Sequence, residues 1–206
     1  MYKAFVLQEE AMLDPLDIAK YFIVRAYETD QDESMSNMKL QKLLYYAQSI
    51  HLALYDEPLF SEAVQAWRYG PVCPSAYHFY CDYTGNQLPI PSDSSLSLIP
   101  HEIKALLEEV WSHFGLHDAL TLSEMTHAES PWKEARGDLP KEAPSREPLN
   151  IAEMKKLGQR KLTEIETANP AYEPVMTAVL EQAVSAKSKD VIQKEEVRDW
   201  LESLLD

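Results

Sequence analysis

The chain has 206 residues, 45% of them hydrophobic and 26% charged, with a formal net charge of −15. That is enough chain for one sizeable core, and no apolar run reaches the roughly 18 to 20 residues that span a bilayer. A field this negative repels a phosphate backbone unless a basic face is present, and Asp30, Asp32 and Glu33 closely precede Lys39 and Lys42.

Direct nucleic-acid binding and membrane association are therefore not expected. The charge fits either plain solubility or attraction to a basic protein partner. The N-terminus MYKAFVLQEEAMLDP is a poor secretory signal, and two cysteines, Cys73 and Cys81, suit a reducing compartment. A cytoplasmic location is expected.

In chain order, Asp14-Pro15 predicts a helix start, with Asp14 as cap and Pro15 in the first turn. Ile18, Ala19, Phe22, Ile23 and Ala26 then share one face. After the acidic ETDQDES, Ser36 or Asn37 caps a second helix. Leu40, Leu43, Leu44, Ala47, Ile50 and Leu54 follow its three-four spacing, while Lys39, Lys42 and Gln48 fall off the stripe.

The segment AVQAWRYGPVCPSAYHFY concentrates aromatics, an arginine and two prolines. Val64, Ala66 and Arg68 alternate as a short extended run, and Gly70-Pro71 predicts the turn that ends it. SAYHFYCDY resumes a helix as far as Gly85, and residues 86–100 read as a Pro- and Ser-rich loop. HEIKALLEEVWSHF is helical, with Gly115 as its stop.

Asp118 opens another helix, DALTLSEMTHAE, and Ser130-Pro131 starts a further turn through WKEAR. Asn150 and Glu153 have capping-box spacing before IAEMKKLGQRKLTEIE. Beyond Asn169-Pro170 come a short helical pattern, a polar SAKSKD, and KEEVRDWLESLL, whose Val197, Trp200, Leu201, Leu204 and Leu205 lie on one face. A helix that short is marginal alone in water. Its stripe predicts docking on the domain, on a second copy or on a partner.

The fold class expected is mainly α, with one short β hairpin near residues 60–70 and a C-terminal helical extension. The organisation expected is an N-terminal extension over residues 1–14, a domain over 15–167, and the extension over 168–206.

Chemistry is sparse. His113 and His117 have metal-pair spacing, but Gly115 lies between them and no catalytic Glu accompanies them. Cys73, His78 and Cys81 lack a fourth ligand at a repeating spacing. His127 has Glu124, Glu129 and Ser130 near it, yet there is no G-x-S-x-G elbow, and five glycines build no phosphate-cradling loop. No catalytic residue, metal or cofactor is expected, and His127 reads as a hydrogen-bonding residue at a helix end.

Four blocks in order, MKLQKLLYYAQSIHLAL, EPLFSEAVQAWRYGPVCPSAY, LTLSEMTHAESPWKEAR and IAEMKKL, resemble the Panacea domain of SocA/GepA-like prokaryotic and phage antitoxins. W-x-Y-G-P-V and T-H-x-x-x-P-W are its most specific signatures. The family positions fall on Leu40, Gln41, Lys42, Leu43, Tyr46, Trp67, Tyr69, Gly70, Pro71, Val72, Thr126, His127, Pro131 and Trp132.

The resemblance implies a helical, non-enzymatic antitoxin that neutralises a toxin encoded by an adjacent gene. Assembly would be a homodimer or a hetero-oligomer with the toxin. It also implies an alternative, an adaptor that delivers toxin to an ATP-dependent protease. A small hydrolase using His127 ranks last. Trp67, Arg68 and Tyr69 are the candidate toxin-binding residues, because Arg and aromatics dominate interface hot spots. Trp200, Leu201 and Leu204 join them from the tail, whose ending also resembles the terminal helix of ParD-like antitoxins.

Overall fold

The computed structural model describes residues 12–29, 35–83, 85–91 and 99–168. The C-terminal extension, including Trp200, Leu201 and Leu204, and most of the N-terminal extension lie outside the described residues.

Seven helices and one hairpin make up the described chain. They are α1 (Pro15–Glu28), α2 (Asn37–Tyr55), β1 (Gln65–Trp67), β2 (Gly70–Val72), α3 (Pro74–Phe79), α4 (His101–Phe114), α5 (Ala119–Ala128), α6 (Ser130–Arg136) and α7 (Ile151–Ala168). Several helices begin where their side chains supply an acceptor for the free amides of the first turn. Asp14 accepts from Leu16 N at 2.8 Å and Asp118 from Thr121 N at 2.7 Å. Ser36, rather than Asn37, is the cap of α2, and Asn150 accepts from both Ala152 N and Glu153 N.

The axis of the fold is α2. Helices α1, α4, α5 and α7 and strand β2 all pack on it, α7 most extensively. Enclosure on every side corrects the one-sided reading of this helix, since Lys39, Lys42 and Gln48 are buried along with the apolar stripe. They are tolerated because polar groups taken out of water find partners. Gln48 accepts from Leu59 N and Phe60 N and donates to Phe60 O, so one amide fixes the loop that follows the helix. The Lys39 ammonium stands 5.7 Å from the centre of the Trp111 ring on α4.

On the far side of the bundle Arg25 of α1 forks onto Glu108 of α4, with Nε–Oε2 at 2.7 Å and Nη2–Oε1 at 2.5 Å. The guanidinium holds the Glu108 carboxyl below its ordinary value. Among the described residues no helix is long and apolar enough to cross a membrane.

The seam between α2 and α7 closes over Gly158. A Cβ at that position would lie 1.9 Å from the Ser49 carbonyl oxygen and 2.9 Å from the Ala53 Cβ. Gly→Ala inside a helix ordinarily gains about 1 kcal/mol. Here the collision is with backbone, which must shift, so Gly158→Ala is expected to lose roughly 1 to 3 kcal/mol as an overpacked core. Gly85→Ala, whose Cβ meets nothing within 4 Å, should leave stability nearly unchanged. Thermal melts of the two variants check the contrast; equal melting temperatures would remove close packing as the reason for Gly158.

Candidate partner-binding site

The hairpin is small, and its register places the turn. Gln65 faces Val72, Ala66 faces Pro71 and Trp67 faces Gly70, so the tip residues are Arg68 and Tyr69. The sequence pointed to Gly70-Pro71 as the turn; both instead lie in β2. Pro71 costs no ladder bond there, because Ala66 N donates outward to Glu147 O at 2.8 Å. Leu149 N donates to Val64 O at 2.8 Å in the same returning segment.

Gly70 is required for two reasons. Its φ is +102°, which L side chains rarely adopt, and a Cβ would lie 2.7 Å from Lys42 Nζ and 2.8 Å from Thr126 Oγ1.

A two-stranded hairpin of three-residue strands is not stable by itself. This one is held from beneath by side chains, carbonyl by carbonyl. Arg136 donates to Ala66 O at 3.5 Å, the longest of the set, and Trp132 Nε1 to Trp67 O at 2.9 Å. His127 Nε2 donates to Arg68 O at 3.1 Å, Ser123 Oγ to Tyr69 O at 3.1 Å, and Lys42 Nζ to Pro71 O at 3.1 Å. Gln41 adds an acceptor for Cys73 N at 2.9 Å.

These donors are themselves positioned. The His127 and Trp132 rings lie 4.2 Å apart, and the Arg136 guanidinium sits 4.9 Å from the Trp132 ring. Glu129 accepts from the Tyr46 hydroxyl at 3.0 Å and pairs with Lys161 of α7 at 3.5 Å. Burial pushes its carboxyl above the ordinary range. Leu40 and Leu43 fill the core below, Thr126 is fully buried, and Pro131 opens α6.

The family positions thus form one constellation around the hairpin. His127 spends Nε2 on the Arg68 carbonyl, and burial followed by the nearby Lys42 charge lowers its pKa. Ser130 Oγ accepts from Arg160 rather than meeting His127. The Cys73 thiol donates to Glu62 at 2.6 Å and is pushed up to about 12, chiefly by burial. Cys81 is exposed.

Two anchors went unread in the sequence, Ser123 and Arg136. The i, i+4 spacing of Trp132 and Arg136 carried a signal for the second, since a guanidinium one turn from an indole can stack on it.

With its backbone fixed, the hairpin presents its tip outward. Tyr69 is 58% exposed, the Arg68 side chain is 46% exposed, and the guanidinium lies 4.9 Å from the centre of the Tyr69 ring. Trp67 is half-buried, packed edge-on against Tyr77 at 4.8 Å, with Nε1 donating to Gln65.

Residues 40–133, a little under half of the chain, match the family described as antitoxin SocA-like, Panacea domain. One curated relative, Antitoxin SocA of Caulobacter vibrioides (strain NA1000 / CB15N), is 41% identical over 49 residues, covering 24% of this chain and 26% of the relative. The alignment therefore spans only about a quarter of that relative's length. No solved structure matches. The matched segment runs from α2 through the hairpin to the Trp132 anchor, and over it the chain is similar to the Panacea domain of SocA-like antitoxins.

Proposed function

We propose that this protein is an antitoxin that neutralises a cognate toxin, encoded by an adjacent gene, by direct protein–protein contact, and that the hairpin tip forms part of the toxin-binding face. The observation that carries this reading is a tip whose backbone is tied at successive carbonyls while Arg68 and Tyr69 stand exposed above it. A surface already held in one conformation loses little freedom on association, and aromatic and arginine side chains are the usual anchors of such interfaces. We take the domain so engaged as residues 15–167, a reading supported by the packing of α1 and α7 on α2 from either side of the family match.

Two further elements of the reading rest on the sequence. The charge of −15 suits a basic toxin, which long-range attraction would bring on faster. Trp200, Leu201 and Leu204 suit a helix laid in a toxin groove.

Co-expression with the adjacent gene, scored by growth and pull-down, tests the function as a whole. Within it, Tyr69→Ala is expected to leave the melting temperature within error, as surface changes do, while weakening toxin binding roughly tenfold or more. Trp132→Ala should instead cost roughly 3 to 5 kcal/mol of stability. Full affinity in a folded Tyr69→Ala protein would take the tip out of the interface.

Truncation after Lys189 should leave the melt unchanged and reduce both binding and protection. A lowered melt would assign the tail to the core. The association rate should fall as salt rises, screened over a Debye length of about 8 Å at physiological strength; a rate indifferent to salt would leave the acidity to solubility.

A further inference from the structure

A cavity of about 560 Å³ opens between the N-terminal half of α2, the hairpin, α3 and the segment around residue 145. Its charge is the reverse of the chain's. Lys42, Arg68 and Arg146 line it, and no Asp or Glu does, although acidic residues outnumber basic ones 34 to 19 overall. Trp67, Tyr69 and Tyr77 supply flat apolar wall. The volume lies in the range of small-ligand sites, which pair an apolar lining with a few placed polar groups.

The cations are arranged by depth. Lys42 is 1% exposed, and its ammonium gives the hydrogen bond to Pro71 O with no carboxylate within salt-bridge distance among the described residues. An ammonium offers three donors, and a buried charge without a counter-ion is costly. Arg68 and Arg146 are exposed at the mouth. Arg68 meets Glu142 in a solvent-exposed pair, of the kind worth little in water, so the guanidinium can exchange that partner for a ligand.

We propose that this cavity is a binding site for a small anionic group, a carboxylate or a phosphate, carried on a flat ring. Lys42 stands at its inner end, Arg68 and Arg146 stand at its mouth, and the ring lies against Trp67, Tyr69 and Tyr77. The inference is independent of the antitoxin reading, because it concerns the free protein. Two sources present this chemistry, a free nucleotide-like molecule and the terminal carboxylate of a polypeptide ending in an aromatic residue.

Burial lowers the Lys42 pKa to about 7, and pairing with an anion raises it again. Affinity contributed by Lys42 is therefore full below that pH and falls as pH rises through it. Among the described residues the other charged or titratable groups lining the cavity are Arg68 of the turn, Tyr69, Tyr77, Cys81 and Arg146 of the loop, and His127 of α5 lies close enough to feel the Lys42 charge. His127 is shifted down by burial and by Lys42, so its charge is lost on the acidic side of the Lys42 transition.

Calorimetric titration of the full-length protein with AMP and with N-acetylphenylalanine tests the site, each probe standing for one source. Saturable binding of at least one probe, roughly millimolar or tighter, is expected. Removal of the mouth cations in Arg68→Ala/Arg146→Ala should weaken it roughly tenfold or more. That double variant changes only exposed side chains, so it tests the site even if Lys42→Met fails to fold.

Binding of AMP alone identifies the free molecule as the source, and binding of the amino-acid derivative alone identifies the chain terminus. For whichever probe binds, affinity should decline between about pH 6 and about pH 8 in the native protein. For AMP, adenosine 5′-sulfate, whose charge does not change over this range, separates the phosphate's own titration from that of Lys42. No saturable heat with either probe, equal affinity in the double arginine variant, or a flat pH profile would each overturn the proposal.

Discussion

Five carbonyl groups within six residues of backbone set the constraint on which this domain rests. Each unpaired carbonyl kept from water costs on the order of 1 to 3 kcal/mol, and a three-residue hairpin cannot satisfy both its ladder and its inner face. The chain answers by spending polar side chains from three helices on Ala66, Trp67, Arg68, Tyr69 and Pro71. Lys42 comes from α2, Ser123 and His127 from α5, and Trp132 and Arg136 from α6. The two most specific motifs are therefore the two halves of one contact: W-x-Y-G-P-V is the strand pair, and T-H-x-x-x-P-W is much of what holds it.

Why the helices sit where they do follows from that contact. Helices α5 and α6 must present Ser123, His127 and Trp132 to one hairpin, which needs a sharp break between them; Glu129 has extended backbone and Pro131 restarts the helix. The Glu129 side chain then reaches back to Tyr46 and Lys161, linking the hairpin anchors to α2 and α7. Gly158 brings α7 close enough for that pairing.

Much of this was legible in the sequence, and the reasons for the rest are physical. The caps at Asp14 and Asp118 and the break at Ser130-Pro131 were readable because each is a local hydrogen-bond or φ constraint. The apolar stripe of α2 was readable from periodicity, but periodicity scores residue type. It could not say that Lys42 and Gln48 would be enclosed, because the groups that satisfy them, Pro71 O and the Leu59–Phe60 backbone, are brought in by the tertiary fold. The turn was misplaced by two residues for a related reason. Glycine and proline are turn residues by local preference, yet here Gly70 answers to a close approach from Lys42 and Thr126, and Pro71 occupies a position whose partner, Ala66, directs its amide elsewhere.

Lys42 joins the two halves of the functional reading. Its ammonium is one of the five anchors of the hairpin, so it helps fix the tip on which Arg68 and Tyr69 are displayed. The same residue lines the cavity and has no carboxylate to offset its burial. An anion paired with Lys42 would raise its pKa and keep it charged, and a charged donor makes the stronger hydrogen bond to Pro71 O. Loss of the proton would weaken that anchor at the root of the tip. If both proposals hold, occupancy of the cavity and rigidity of the tip would be linked through one nitrogen, and the linkage would be reciprocal.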